Sequence, residues 1–339
     1  MLYPLLRPLL FRLEAERAHR WTLSLLDAAH ALGLTRLVQH GLPAAPVHVM
    51  GITFPNAVGL AAGLDKSAEH VAALATLGFG HIEVGTVTSR PQAGNPRPRL
   101  FRVPHARALI NRMGFNNLGV DRLIHNLSRA RYRGILGINI GKNFDTPIER
   151  AAVDYLSAMR KTYSVAAYLA VNISSPNTRD LRQLQEAEEL DRLLAALKVE
   201  QQNLNRIHGR YVPLAVKIAP DLAEERLHAV AQCLLRHGID GVIATNTTIA
   251  RTGVEGLPHG DESGGLSGAP LRERSTAVIR TLYAVLGERV PIIGVGGIMR
   301  AEDAREKIAA GAKLVQLYTG LIYAGPGLVR ECVRALARG

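Results

Sequence analysis

The sequence predicts an α/β protein, a (β/α)8 TIM barrel with a small N-terminal helical extension, and three observations predict it. The run Ala167-Tyr168-Leu169-Ala170-Val171-Asn172-Ile173-Ser174-Ser175-Pro176-Asn177-Thr178 is apolar and then turns abruptly into small polar side chains. A continuous apolar run of that length reads as a strand buried on both faces, with the polar cluster on the loop where the chain surfaces. Seven other stretches repeat the pattern, at 56–63, 81–87, 134–141, 213–219, 241–246, 291–297 and 314–320. Segments with helical periodicity follow most of them, at 118–130, 187–204, 222–236, 275–286 and 301–310. Strands alternating with helices form βα units, and eight units close a barrel whose active site lies at the C-terminal strand ends.

The 339 residues exceed the roughly 250 of a bare barrel, and the first strand does not begin before Asn56, so an N-terminal appendage is left over. Apolar residues make up 47% and charged ones 21%, which supplies a large core and excludes a disordered chain. Cys233 and Cys332 both fall in helical patterns, far apart, and read as packed thiols of a reducing compartment. The net charge of +12 comes from Arg scattered through helices and loops. Without a basic run or interleaved aromatics it argues against nucleic-acid binding, while attraction to anionic phosphates or lipid headgroups stays open.

Residues 1–40 read as two short helices, 2–13 and 15–34, with Leu on one side and Arg on the other. Neither carries the 18 or so consecutive apolar residues of a membrane span, and no signal-peptide cleavage pattern follows, so the segment is expected to be retained. The pattern alone fits equally a helical pair at a membrane surface and a cap on the barrel. A Gly/Pro linker at 41–46 marks the boundary between an extension, 1–45, and a barrel, 46–339, and residues 50–54 read as a short strand of their own.

The first barrel strand ends Gly59-Leu60-Ala61-Ala62-Gly63-Leu64-Asp65-Lys66, where small residues let a flat ligand lie on backbone and Lys66 adds a cation. Strand two ends Glu83-Val84-Gly85-Thr86-Val87-Thr88, and a Pro/Arg-rich excursion leads to Asn111-Arg112-Met113-Gly114-Phe115-Asn116-Asn117, read as a loop too rich in Asn and Gly for a core element and long enough to cover a site. Strand three carries Asn139, and strand four offers Asn172, Ser174, Ser175 and Asn177. Lys217 lies inside the apolar strand 213–219, where it needs an anionic or electron-rich partner. Strand six ends Thr245-Asn246-Thr247, followed by a Gly-rich loop at 264–268. Gly294-Val295-Gly296-Gly297 ends strand seven and Leu317-Tyr318-Thr319-Gly320 ends strand eight, the place of a phosphate site in such barrels.

These strand ends hold Asn, Thr, Ser and Lys, without paired carboxylates, a His beside a nucleophile or Cys/His metal spacing. Triad hydrolysis, glycosidase chemistry and metal catalysis are therefore unsupported. Asn side chains donate and accept, matching the edges of a flat heterocycle, and a phosphate site with few acids or bases implies a cofactor that carries the chemistry, for which FMN fits.

The same stretches resemble the dihydroorotate dehydrogenases, specifically the membrane-associated, quinone-reducing class 2 enzymes. The resemblance runs over nearly the whole chain, through Gly-Leu-Ala-Ala-Gly-Leu-Asp-Lys, Asn-Arg-Met-Gly-Phe-Asn-Asn, Gly-Ile-Asn-Ile-Gly-Lys-Asn, Asn-Ile-Ser-Ser-Pro-Asn-Thr, Ala-Thr-Asn-Thr-Thr, Gly-Gly-Leu-Ser-Gly and Gly-Val-Gly-Gly-Ile in that order. Ser175 stands where class 1 enzymes have a cysteine, and the N-terminal extension also fits class 2.

The resemblance implies oxidation of dihydroorotate to orotate in pyrimidine biosynthesis, with a membrane quinone as final acceptor. FMN would be contacted by Ala62, Gly63, Leu64, Asp65, Lys66, Thr86, Asn139, Asn172, Lys217 and Thr245, and its phosphate by Gly268, Gly297, Tyr318 and Thr319. Dihydroorotate would meet Lys66, Asn111, Arg112, Asn172, Asn177, Asn246 and Thr247, with Met113, Gly114 and Phe115 closing the pocket. Ser175 would take the C5 proton as hydride leaves C6, relayed through Thr178 or a water and shielded by Phe115. The N-terminal helices, with Leu2, Leu5, Leu6, Leu9, Leu10 and Trp21, would form a quinone tunnel on the cytoplasmic face of a bacterial membrane, held peripherally by a monomer. The alternatives are a class 1-type enzyme using fumarate or NAD, and a non-catalytic barrel that binds a phosphorylated ligand or lipid.

Overall fold

A computed structural model describes residues 3–35 and 42–337. Leu2, expected in the first helix and tunnel, and Gly41, expected at the head of the linker, lie outside the described residues. Helices α1 (Tyr3–Arg12) and α2 (Ala15–Ala31) open the chain, followed by an antiparallel hairpin of β1 (Val47–Val49) and β2 (Ile52–Phe54). Strand β3 (Val58–Leu60), helix α3 (Val71–Ala75) and strand β4 (His81–Val87) come next. The excursion forms β5 (Leu100–Val103) and β6 (Ala108–Asn111) before α4 (Val120–Ala130). Alternation resumes with β7 (Ile135–Ile140), α5 (Ala151–Thr162), β8 (Tyr168–Asn172), α6 (Ala187–His208), β9 (Leu214–Ile218), α7 (Glu224–Arg236) and β10 (Gly241–Ala244). After β11 (Gly265–Gly268) come α8 (Arg272–Leu286), β12 (Ile292–Val295), α9 (Ala301–Ala309), β13 (Ala312–Leu317), α10 (Thr319–Ala324) and α11 (Gly327–Leu336).

Strands β3, β4, β7, β8, β9, β10, β12 and β13 pair in parallel in that order, and β13 closes on β3. Seven lie within the stretches expected of them, and β13 begins two residues before its own. Successive residues of a barrel strand face opposite sides, so on β10 Val242 and Ala244 join the core under the helices while Ile243 joins the core inside the barrel. That inner core stacks Ile243 with Tyr168, Ala170, Ala215, Ile293 and Leu314, and Phe54 of the hairpin packs with them. Gly137 makes room for the Tyr168 ring, which would lie 2.2 Å from an added Cβ.

The expected helices are present with ends shifted by at most a turn. Helix α6 buries Leu190, Leu193, Leu194 and Leu197 at three- and four-residue spacing, and carries Glu188 and Glu189 at its N-terminus. Helix α5 has no counterpart in the sequence expectation, because its buried face includes Asp154 and Thr162 and so breaks the apolar stripe.

Two expected loops need correction. Residues of the excursion and the Gly-rich stretch at 264–268 form an antiparallel sheet in the order β11-β6-β5, with its own core of Phe101, Val103, Ala108, Ile110 and Leu266. The three strands are only four residues long and interrupt their apolar residues with Arg102, Asn111 or Ser267, which hid them; β5 and β6 form a local hairpin, whereas β11 pairs with β6 across about 150 residues of chain.

Helices α1 and α2 sit beside the C-terminal end of β13. The Tyr3 hydroxyl donates to the Ile322 carbonyl, and Arg7 Nη1 donates to the Tyr323 carbonyl at 2.8 Å. Glu16, 5% exposed, accepts from Arg99 Nη2 at 2.8 Å and Arg97 Nη2 at 2.9 Å, locking α2 to the excursion. Leu5, Leu6, Leu9, Trp21, Leu25 and Leu32 stay exposed. No helix among the described residues is long and apolar enough to cross a membrane.

Candidate active site

A cavity with an empty volume of about 980 Å³ opens at the C-terminal ends of the strands. Its floor is Ala61, Ala62 and Gly63 after β3, with Lys66 at one edge and Thr86 of β4 beside it. Asn172, Ser175 and Asn177 come from β8 and its loop, Lys217 from β9, and Thr245, Asn246 and Thr247 from the end of β10. The excursion contributes Asn111, Met113, Gly114 and Phe115 as a wall. Gly297, Tyr318 and Thr319 close the far end together with Ser267, Gly296 and Gly320.

A continuous polar chain ties these strand ends together. Asn246 Nδ2 donates to Asn172 Oδ1 at 3.3 Å, Asn172 Nδ2 to Thr86 Oγ1 at 2.8 Å, and Thr86 Oγ1 to Asn139 Oδ1 at 2.6 Å. Asn139 Nδ2 then donates to Glu83 Oε1 at 2.8 Å. Glu83 is fully buried and also accepts from Tyr168 Oη at 2.9 Å and Gln316 Nε2 at 2.7 Å. Its Oε1 lies 4.0 Å from Lys217 Nζ. That is an ion pair but too long for a hydrogen bond, so the ammonium keeps donors for the cavity that its side chain lines. Burial pushes the Lys217 pKa down and Glu83 opposes the shift.

The Lys66 pKa is pushed down to about 8, chiefly by burial and then by Arg99, with Glu16 and Asp65 opposing. Its Nζ donates to the Gly63 carbonyl at 3.0 Å. Asn177 Nδ2 donates to the Asn111 carbonyl at 3.0 Å, fastening the Ser175 loop to the excursion. Arg182 holds the same loop from behind, donating to the Ser174 carbonyl at 3.1 Å and the Thr247 carbonyl at 3.0 Å.

Six of the expected site residues do not line the cavity. Asn139 lies one layer below, in the polar chain. Asp65 accepts the backbone N–H groups of Glu69 and His70 at 2.9 and 2.7 Å, so its carboxylate organises the turn. Leu64 faces a different cavity. Arg112 turns outward to Glu262 at 2.7 Å and stacks over Phe101. Gly268 packs against Arg107 and Thr319 behind the wall. Thr178 is buried next to the loop, and among the described residues its hydroxyl has no hydrogen-bond partner.

Sequence reasoning missed Glu83, Gln316 and Arg182. The signal for the first two was present: each is a polar residue flanked on both sides by apolar residues of a buried strand, as Lys217 is.

The second cavity, with an empty volume of about 1660 Å³, runs between α1 and α2 and the barrel. Leu6, Leu9, Leu10, Leu23, Leu26 and Leu64 line it, together with His19 and Arg102. The His19 pKa is pushed down to about 4, first by burial and then by Lys66 and His70, so the ring is neutral there at neutral pH. Tyr318 lines both cavities. Burial pushes its hydroxyl up to about 12.

A flat floor of small residues, amide and ammonium groups around it and a glycine-rich far end suit a planar ligand with an anionic tail, in a TIM-barrel site. The dihydroorotate dehydrogenase family model matches residues 44–338, and the chain belongs to that family. It is 64% identical over 338 residues to the dihydroorotate dehydrogenase (quinone) of Thiobacillus denitrificans, covering 100% of both chains. With the protein of that name from Burkholderia thailandensis it shares 63% over 338 residues, 100% of this chain and 98% of the relative. Among solved structures, that of DHODH from Eimeria tenella in complex with ferulenol superposes with a TM-score of 0.82 at 37% identity, covering 91% of this chain and 90% of the other.

Proposed function

We propose that this chain oxidises dihydroorotate to orotate and hands the electrons to a membrane quinone, with FMN as its bound cofactor. Full-length relatives at 63–64% identity carry the name dihydroorotate dehydrogenase (quinone). The observation that carries the reading is the meeting of a polar cavity and an apolar one at a single side chain, Tyr318. A polar substrate and a lipophilic acceptor can then approach one redox group from two sides.

The residues present fit FMN. Ala62 and Gly63 offer a floor without bulk, and a Cβ added at Gly63 would crowd the Tyr318 ring at 3.2 Å. Lys217 presents a buried cation to the floor, suited to a ring that gains negative charge. At the far end, Gly297 has φ +75°, and a Cβ there would stand 2.3 Å from Arg272 Cα, so only glycine leaves room for an anion against the backbone. The first turn of α10 opens on the same end with Thr319 and Gly320, where N–H groups lack intrahelical partners. FMN held there would supply a hydride acceptor for C6 of the substrate and a two-electron donor for the quinone.

The chain's own residues do the rest. Lys66 meets the substrate carboxylate, and Asn111, Asn172, Asn177 and Asn246 pair with its ring amides, since each can donate and accept. Ser175, 6% exposed in the wall, takes the proton from C5. Thr178, whose buried hydroxyl lacks a partner among the described residues, passes that proton outward, and the buried Phe115 keeps bulk water away. Met113, Gly114 and Thr247 complete the pocket.

Residues 1–45 form the quinone-access extension and 46–339 the catalytic barrel. The exposed leucines of α1 and α2 enter the headgroup region on the cytoplasmic face, and quinone passes between the helices toward Tyr318. One chain holds every group of both half-reactions, so a monomer suffices.

The test is an anaerobic absorbance spectrum of the purified protein. Oxidised flavin bands that bleach with dihydroorotate and return with a short-chain quinone are expected. A colourless protein, or a flavin indifferent to dihydroorotate, overturns the reading.

A further inference from the structure

Away from both cavities, three metal-ligating side chains converge between α6 and α7. Cys233 lies on α7 and His237 is the residue that caps its C-terminus, one helical turn apart and therefore on one face. Asp191 reaches across from α6. Its Oδ1 stands 2.9 Å from His237 Nε2 and 3.8 Å from Cys233 Sγ, and all three donor atoms fall within 4.8 Å of one another. A tetrahedral ion held at about 2.0 Å by nitrogen and oxygen and about 2.3 Å by sulfur spreads its ligand atoms roughly 3.3–3.6 Å apart. The observed spacings bracket that range.

We propose that Asp191, Cys233 and His237 form a binding site for a zinc-type divalent cation, which staples α6 to α7. The donor set decides the class of ion. One thiolate, one imidazole and one carboxylate suit zinc, whereas calcium and magnesium favour oxygen throughout. The surroundings allow entry and a fourth ligand. Asp191 is 46% exposed in its side chain, and a cavity with an empty volume of about 380 Å³, lined by Leu190, Val230 and Cys233, adjoins the sulfur and can hold a coordinated water.

Arg236 donates to the same Asp191 oxygen at 2.9 Å, but its side chain is 62% exposed and can swing into solvent when a dication takes its place. The carbonyl end of α7 adds a partial negative charge that favours a cation. Binding releases the Cys233 thiol proton to water, and the ion takes the resulting thiolate and the neutral ring at Nε2. The sequence carries no familiar zinc spacing because two donors are four residues apart and the third comes from the preceding helix.

None of the three residues lines either cavity at the barrel mouth, so their variants leave dihydroorotate-driven bleaching intact and report on the site alone. The holoenzyme is titrated with Zn²⁺ against a chromophoric chelator. One ion per chain is expected, with binding lost in Cys233→Ser and Asp191→Asn and kept in Cys332→Ser. Because Cys233 is buried, the half-buried His237→Gln serves as a second probe of lost binding in a folded protein. Co²⁺ used instead of Zn²⁺ should give tetrahedral d–d absorption to the red of the flavin bands, absent in Cys233→Ser, and Zn²⁺ should raise the melting temperature of the parent and of Cys332→Ser but not of the three site variants. No uptake by the parent in competition with the chelator overturns the proposal. So does uptake by the three variants equal to the parent's, which would mark adventitious surface binding.

Discussion

Lys217 Nζ and Glu83 Oε1 face each other at 4.0 Å inside the barrel, both buried, on strands β9 and β4. The carboxylate is satisfied by Asn139, Tyr168 and Gln316, while the ammonium keeps its hydrogen-bond donors for the cavity. The pair thus holds a cation under the floor of the site without quenching it. Glu83→Gln would leave that cation unpaired and turn an amide N–H₂ toward either Asn139 and Lys217 or Tyr168 and Gln316, all of them donors. A loss of about 3 kcal/mol in unfolding free energy is expected, read by urea denaturation. An unchanged midpoint would mean that the pair carries no structural weight.

Ser175 is the residue placed to take the C5 proton. Ser175→Ala should slow flavin reduction by dihydroorotate about 10²–10⁴-fold while bound flavin stays at the parental level. Stopped-flow bleaching reads the rate. Reduction at the parental rate would remove Ser175 from the mechanism.

Gly297 forms the anion end of the cavity with φ +75° and no space for a Cβ beside Arg272. Gly297→Ala should push the backbone away from that end and weaken FMN at least about tenfold, a cost of about 1.4 kcal/mol. Flavin content per chain after gel filtration measures it. Full retention would move the phosphate elsewhere.

Leu5 on α1 and Leu32, which caps the C-terminus of α2, are 73% and 75% exposed and line neither cavity. A Leu5→Glu, Leu32→Glu double variant should bind anionic vesicles at least about tenfold less well, since burying each leucine contributes about 1.5–3 kcal/mol. Bleaching by dihydroorotate should not change. Vesicle binding equal to the parent's would place the membrane contact on another surface.

His81 makes the fold acid-sensitive. Burial pushes its pKa down from 6.5 to about 3, and its Nδ1 has no partner among the described residues. As pH falls through 6.5 the unfolded chain takes up a proton that the folded chain refuses until about 3, so stability present above 6.5 is lost across that window. The slope approaches about 1.4 kcal/mol per pH unit. In urea melts between about pH 7 and pH 4, His81→Gln should lose less stability than the parent. Equal losses would assign the acid sensitivity to other groups.

The order of barrel strands and the residue types at their ends were legible because each strand is buried on both faces and reads as an uninterrupted apolar run. Every expected cavity residue that proved to line the wall sits at such an end or on the excursion. The polar residues inside the strands were only half legible. Lys217 announced that it needed a partner, but Glu83 stands 134 positions earlier, and its choice depends on how β4 and β9 face each other across the barrel. Asn139 and Asp65 show the converse limit: residues of the right type at the right end serve the layer below and a turn. The β11–β6 pairing was hidden for the same reason as the meeting of Asp191 with Cys233 and His237, since each joins segments distant in the chain.

Local chemistry and periodicity therefore carried the architecture, the location of the site and the family resemblance, all of which depend on near neighbours along the chain. Packing alone settled which groups meet: the Glu83–Lys217 pair, the outward turn of Arg112, and the meeting of two cavities at Tyr318. Side-chain partnership is a property of distance in space, and closing a barrel brings together strands that the sequence separates by a hundred residues or more.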